Sequence, residues 1–171
     1  MSRGVHVDSK DDNGNTPLIF AVVNGKVEAV NYLLDKGADP FVKARFGRNL
    51  LHAASQGGNV AIIETIMSRG LDVDSKDGNG DTPLILAALS DKVEAVNYLL
   101  DKGADPFVKG QFGRNSLHFA SKGGNVAIIE KMLLLGLSVL SEDMEGHTPL
   151  KIAKQNGKTE AVNFLQSKGG R

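Results

Sequence analysis

The sequence predicts an all-α solenoid, in which helix–turn–helix units stack side by side and each unit carries a projecting β-hairpin finger. Three observations predict it. The segment Thr82-Pro83-Leu84-Ile85-Leu86-Ala87-Ala88 has equivalents beginning at Thr16, Asn49, Asn115 and Thr148, so the chain repeats every 33 residues without insertion or deletion. A fixed period of this length marks a stacked architecture, because one unit cannot bury its apolar face alone and needs a neighbour. Each period also holds two short apolar stretches at helical spacing, the second followed by a glycine at Gly37, Gly70, Gly103, Gly136 or Gly169.

The elements follow in chain order. Gly4 to Lys10 matches Gly70 to Lys76 and reads as the tail of an earlier unit. A partial repeat is therefore expected over residues 1–10, with full units over 11–43, 44–76, 77–109, 110–142 and 143–171, all in a single domain. Thr16, Thr82 and Thr148 stand at N-cap positions with proline at the first helical position, where its missing N–H costs nothing. Asn49 and Asn115 take the same place and cap equally well. The second helix, as in Val93-Glu94-Ala95-Val96-Asn97-Tyr98-Leu99-Leu100, is apolar over two adjacent faces and must pack on both sides. The trailing glycine supplies the left-handed residue that ends it. An extended run such as Asp105-Pro106-Phe107-Val108-Lys109 then leads to a glycine turn, and Phe41 and Phe107 are expected to pack beneath the fingers.

Phe20, Val22 and Val23 make the first unit more apolar than a terminal repeat should be, which favours a chain cut from a longer array over a lead-in that suffices as a cap. Lys151, Lys154, Gln155, Lys158, Gln166 and Lys168 give the last unit a polar face suited to water.

These residues resemble the ankyrin-repeat family. Thr-Pro-Leu, the small Ala pair, the Leu-Leu at the end of the second helix and Gly-Ala-Asp recur in register over roughly residues 4–170. The resemblance implies a right-handed stack of L-shaped units, with a concave face built from first helices and fingers. It implies a structural role for His52 and His118, whose rings would bond neighbouring loop backbone. Two departures stand out: Pro-Phe-Val follows Gly-Ala-Asp where the family often has Val-Asn-Ala, and Asp91 replaces the usual glycine between helices.

Composition narrows the function. Twenty basic and twenty acidic residues cancel, which argues against a dedicated binder of nucleic acid or anionic membrane. The chain has no Cys, so it makes neither a disulfide framework nor a cysteine-based metal site. No secretory leader opens it, no apolar run approaches a membrane span, and a cytoplasmic monomer is expected. No two of the four histidines share a unit, no serine stands in a His–Asp arrangement, and Gly57-Gly58 and Gly123-Gly124 are turn glycines between helices. No catalytic residue, metal or cofactor is expected.

Binding of a protein partner is then the function to place. Residues not needed by the core are the finger tips and the exposed ends of the first helices. The candidate contact set is Arg45, Phe46, Arg48, Gln56, Asp81, Leu89, Gln111, Phe112, Arg114, Lys122, Glu145 and His147. A Phe beside an Arg on a projecting finger resembles an interface anchor pair. The competing reading folds each Phe onto the adjacent finger and pairs each Arg with Asp81 or Glu145 next door. A longer period overlies the first: residues 5–70 and 71–136 are identical at 47 of 66 positions, as recent duplication or deliberate construction from a module would produce. Alternatives to a natural interaction module are therefore an engineered binding scaffold and an inert spacer within a longer array.

Overall fold

The computed structural model describes residues 6–12 and 14–171. Gly4 and Val5 of the expected lead-in, and Asn13 of the first finger, lie outside the described residues. Among these residues ten α-helices alternate as first and second members of a pair. The first helices are α1 (Pro17–Val23), α3 (Leu50–Gly57), α5 (Pro83–Leu89), α7 (Ser116–Gly123) and α9 (Pro149–Gln155). The second helices are α2 (Val27–Asp35), α4 (Val60–Ser68), α6 (Val93–Asp101), α8 (Val126–Leu134) and α10 (Thr159–Ser167). None is long and apolar enough to cross a membrane.

The caps explain why such short helices begin and end where they do. The hydroxyls of Thr16, Thr82 and Thr148 accept from the amides of Ile19, Ile85 and Lys151 at 3.3, 3.4 and 3.3 Å. The side chains of Asn49 and Asn115 accept from the amides of His52 and His118 at 3.1 and 3.2 Å. Each such cap is worth about 1 kcal/mol. The glycine after each second helix sits at φ between 86 and 95°, the left-handed conformation that stops a helix without a Cβ clash.

Packing follows the period. Leu18, Leu51, Leu84, Leu117 and Leu150 stand 33 residues apart and are all at most 2 % exposed. Burying such a side chain stabilises by about 1.5–3 kcal/mol, so this ladder binds each unit to the next. The first helices pack against one another much more closely than the second helices do. That asymmetry curves the stack and puts the first helices on its inner side.

The fingers differ from expectation. Among the described residues there is no strand, and one isolated bridge, Lys43 to Asn49, takes the place of a hairpin ladder. Each finger is a five-residue turn whose first amide donates to its fifth carbonyl: Asp11 to Asn15, Ala44 to Arg48, Asp77 to Asp81, Gly110 to Arg114 and Asp143 to His147, at 2.7–3.1 Å. A turn this short leaves no length for a ladder.

One further expectation is corrected. Phe41 and Phe107 do not pack beneath the fingers but are 58 and 54 % exposed. Their amides donate to Asp39 and Asp105, which fixes the backbone of each loop and turns the rings outward. Val22 is buried, leaving Phe20 and Val23 as the exposed apolar side chains of α1. Lys158 is not simply solvated, because its aliphatic stem lies over Gly124, where an added Cβ would come within 2.7 Å of it.

Candidate functional site: the fingers and the inner helices

The fingers are organised by buried aspartates. Asp77 Oδ1 accepts from the amides of Asn79 and Asp81 at 2.8 and 3.0 Å, and Asp143 Oδ1 accepts from Glu145 and His147 at 2.9 and 2.8 Å. An aspartate that binds its own backbone in this way shapes a turn. The other oxygen of each faces the preceding finger, where Arg48 Nε lies 3.2 Å from Asp77 Oδ2 and Arg114 Nε lies 2.8 Å from Asp143 Oδ2. Both carboxylates are fully buried. Burial alone would push the Asp143 carboxyl up, but the His147 amide, the Arg114 guanidinium and the Glu145 amide together hold it down at about 2.

More bonds stitch finger to finger. The Phe46 carbonyl accepts from the Gly78 amide at 2.6 Å, and the Phe112 carbonyl accepts from the Met144 amide at 2.9 Å. Asp81 Oδ1 accepts from the Gln111 amide at 2.8 Å. Burial pushes the Asp81 carboxyl up, partly opposed by that amide. His52 Nε2 lies 3.0 Å from the Asp81 carbonyl, and His118 Nε2 lies 3.1 Å from the His147 carbonyl. A carbonyl only accepts, so both rings carry their proton on Nε2. Burial pushes both imidazoles down.

This scaffold sorts the twelve candidate residues. Phe46 and Phe112 stand at the finger tips, 71 and 47 % exposed. Arg45, Gln56, Gln111, Lys122 and Glu145 are exposed and Leu89 is half-buried. Asp81 is not a finger-tip group: it is buried, and its carboxylate holds the Gln111 amide. Arg48 pairs with Asp77 and not with Asp81, while its Nη1 donates to Gln56 Oε1 at 3.1 Å. Arg114 pairs with Asp143 and Glu145, and its guanidinium lies 5.1 Å from the centre of the Phe112 ring. His147 is half-buried, with Nδ1 3.5 and 3.4 Å from Asp143 and Glu145. The rings of Phe46 and Phe112 do not fold out of solvent onto the next finger.

Asp77 and Asp143 were absent from the candidate set, although a signal existed. Asp11, Asp77 and Asp143 recur 66 residues apart, each followed three residues later by glycine, a turn signature in itself. Among the described residues, Asp143, Glu145 and His147 also bring three potential metal ligands within 4.8 Å of one another. The Arg114 guanidinium already occupies both carboxylates.

Comparison with known proteins bears on these features. The family model described as ankyrin repeats in three copies matches residues 1–44, 41–110 and 103–171. The human transient receptor potential cation channel subfamily A member 1 is 41 % identical over 56 residues, covering 33 % of this chain and 5 % of that protein. The DNA-binding protein RFXANK of mouse is 43 % identical over 51 residues, covering 30 % of this chain and 19 % of that protein. Human RFXANK is similar to the same degree, with 20 % of its length covered. The matched segments therefore span at most 20 % of these relatives' own length.

Proposed function

The chain belongs to the ankyrin-repeat family, and from that premise we propose that it is a protein–protein interaction module whose contact face is made by the fingers and the inner helices. Repeats of this family are generally interaction modules and typically non-enzymatic. The observation that carries the choice of face is the backbone at Phe46 and Phe112, at φ 61 and 58°. A bulky residue in the left-handed region is a strained choice. Neither ring is buried in return.

In this reading Phe46 and Phe112 are anchors, with Arg45, Gln56, Leu89, Gln111 and Lys122 around them. Arg48 and Arg114 are already paired, with Asp77 and Gln56 and with Asp143 and Glu145, and they hold the face in shape around the two rings. Asp81 supports the face from beneath. Formal neutrality favours a protein partner over a phosphate backbone, and the lack of Cys suits a reducing, cytoplasmic setting in which the chain acts as a monomer.

The test is affinity capture followed by a binding isotherm. Changing Phe46 or Phe112 to Ala is expected to cost about 1–3 kcal/mol of affinity. Changing Lys26, at the N-cap of α2, or Glu94, within α6, should cost almost nothing. A hydrogen-exchange footprint on α4 and α6 in place of the fingers would overturn the assignment.

A further inference from the structure

The longer repeat provides an internal comparison, since every residue of 5–70 has a counterpart 66 positions later. Helices α3 and α7 have the same length, the same asparagine cap and the same histidine bond back to that cap. They differ at Leu50/Ser116, at Gln56/Lys122 and at Ala53, whose counterpart is Phe119. Phe119 is buried, 3 % exposed, so the second half fills this position with its own ring. The first half leaves it open. Ala53 there lines a cleft of about 220 Å³ together with Ile19, Val23, Phe46, Arg45 and Arg48.

The cleft has the dimensions and character of a ring site. An apolar cavity of about 150 Å³ is enough to lodge benzene. Its lining combines the apolar Ile19, Val23 and Ala53 with the polar Asn15 and Gln56 and with Arg45 and Arg48. The charge of Arg48 is met by Asp77. Arg45 is exposed and has no carboxylate partner among the described residues, and its counterpart in the second half is the neutral Gln111.

We propose that this cleft receives the phenyl ring of a partner phenylalanine flanked by acidic residues. The ring takes the place that Phe119 occupies in the other half, and Arg45 selects the acidic flank. This rests on the interaction-module reading above and names the chemistry that reading lacks. Phenylalanine is specified because the internal mimic has no polar atom, and a cationic flank would meet the like charges of Arg45 and Arg48.

The probe is the synthetic peptide acetyl-Glu-Asp-Phe-Asp-Glu-amide, titrated into the full chain while the methyl NMR signals of Ile19 and Val23 are followed. Those methyls are expected to shift. Replacing the peptide's Phe by Ala, or its acids by Lys, should weaken binding at least about tenfold, as loss of an anchor does. Ala53→Phe should abolish the shifts while leaving the helical circular dichroism intact, and Arg45→Gln should weaken the acidic peptide about threefold, a rim-charge effect. If Ala53→Phe fails to fold, the alanine peptide and Arg45→Gln still decide. Unchanged affinity for the alanine peptide, shifts confined to other methyls, or no binding at all would overturn the cleft assignment. Those results would leave the wider reading standing as long as Phe46→Ala and Phe112→Ala still weaken the captured partner. A footprint on the second helices would sink the wider reading whatever the peptide does.

Discussion

At Phe46 and Phe112 a bulky side chain stands in the left-handed region, which costs a non-glycine residue roughly 1–2 kcal/mol. Asp91 also stands in this region, at φ 57°, in the place that Gly25 and Gly157 occupy in other units, and aspartate tolerates it better than phenylalanine does. The three are not alike. The Asp91 carboxylate accepts from the Asn125 amide at 3.2 Å, one unit away, so its side chain offsets the strain by joining neighbours. The Phe46 ring joins nothing comparable and stays in water. Phe46→Gly therefore separates stability from binding. It removes the Cβ strain and adds unfolded-state entropy worth about 0.5–1 kcal/mol, so the two nearly cancel. The urea midpoint is expected to move by less than about 1 kcal/mol in equivalent free energy while partner affinity falls by about 1–3 kcal/mol. A stability loss above about 2 kcal/mol would show instead that the ring belongs to the fold.

Finger elements give the chain a pH dependence of definite sign. Asp143 titrates at about 2 when folded and near 3.9 when unfolded. Its contribution, roughly 2 kcal/mol, is fully present above about pH 4 and is lost as pH falls through about 2. His52 and His118 are pushed down from 6.5 by burial. The unfolded chain takes up their protons first, so stability also falls as pH drops below about 6.5. Asp81 works the other way: its carboxyl is pushed up, so its ionisation weighs against the fold at neutral pH and that cost disappears on acidification. Urea midpoints from pH 7 downwards should thus fall in two stages, one beginning near pH 6.5 and one below about pH 4. Replacing both His52 and His118 by Gln should flatten the first stage and leave the second. Survival of the first stage in that variant would locate its source elsewhere.

The whole molecule is a quasi-one-dimensional stack, in which each unit is held by its neighbours and by little else. Helices α9 and α10 cover α7 and α8, and the last finger supplies both carboxylates that Arg114 uses. Removing residues 143–171 should expose the buried side of α7, leave Arg114 unpaired, lower the melting temperature and reduce solubility. Among the described residues, removing residues 1–10 takes away no helix, only the packing of Val7 and the Asp8 contact to the Asp39 amide at 3.1 Å. That truncation should change the melting temperature far less. Equal effects of the two in parallel thermal melts would contradict nearest-neighbour stabilisation.

What the sequence determined by itself is whatever repeats or acts within one turn of chain. The 33-residue period, the Thr and Asn caps, the terminal glycines and the leucine ladder from Leu18 to Leu150 are local or periodic signals. They were legible because a cap needs a partner only three residues away, and a ladder needs only the same residue one period on. The tertiary structure alone decided which carboxylate meets each arginine. Arg48 and its partner belong to different units, and Asp77 and Asp81 both stand in the next finger. The turn aims Asp77 Oδ2 backward and spends Asp81 Oδ1 on the Gln111 amide. The same holds for the outward turn of Phe41 and Phe107 and for the cleft at Ala53. These depend on side-chain volume and direction between units, where a period says which residues are equivalent and nothing about how much space lies between them.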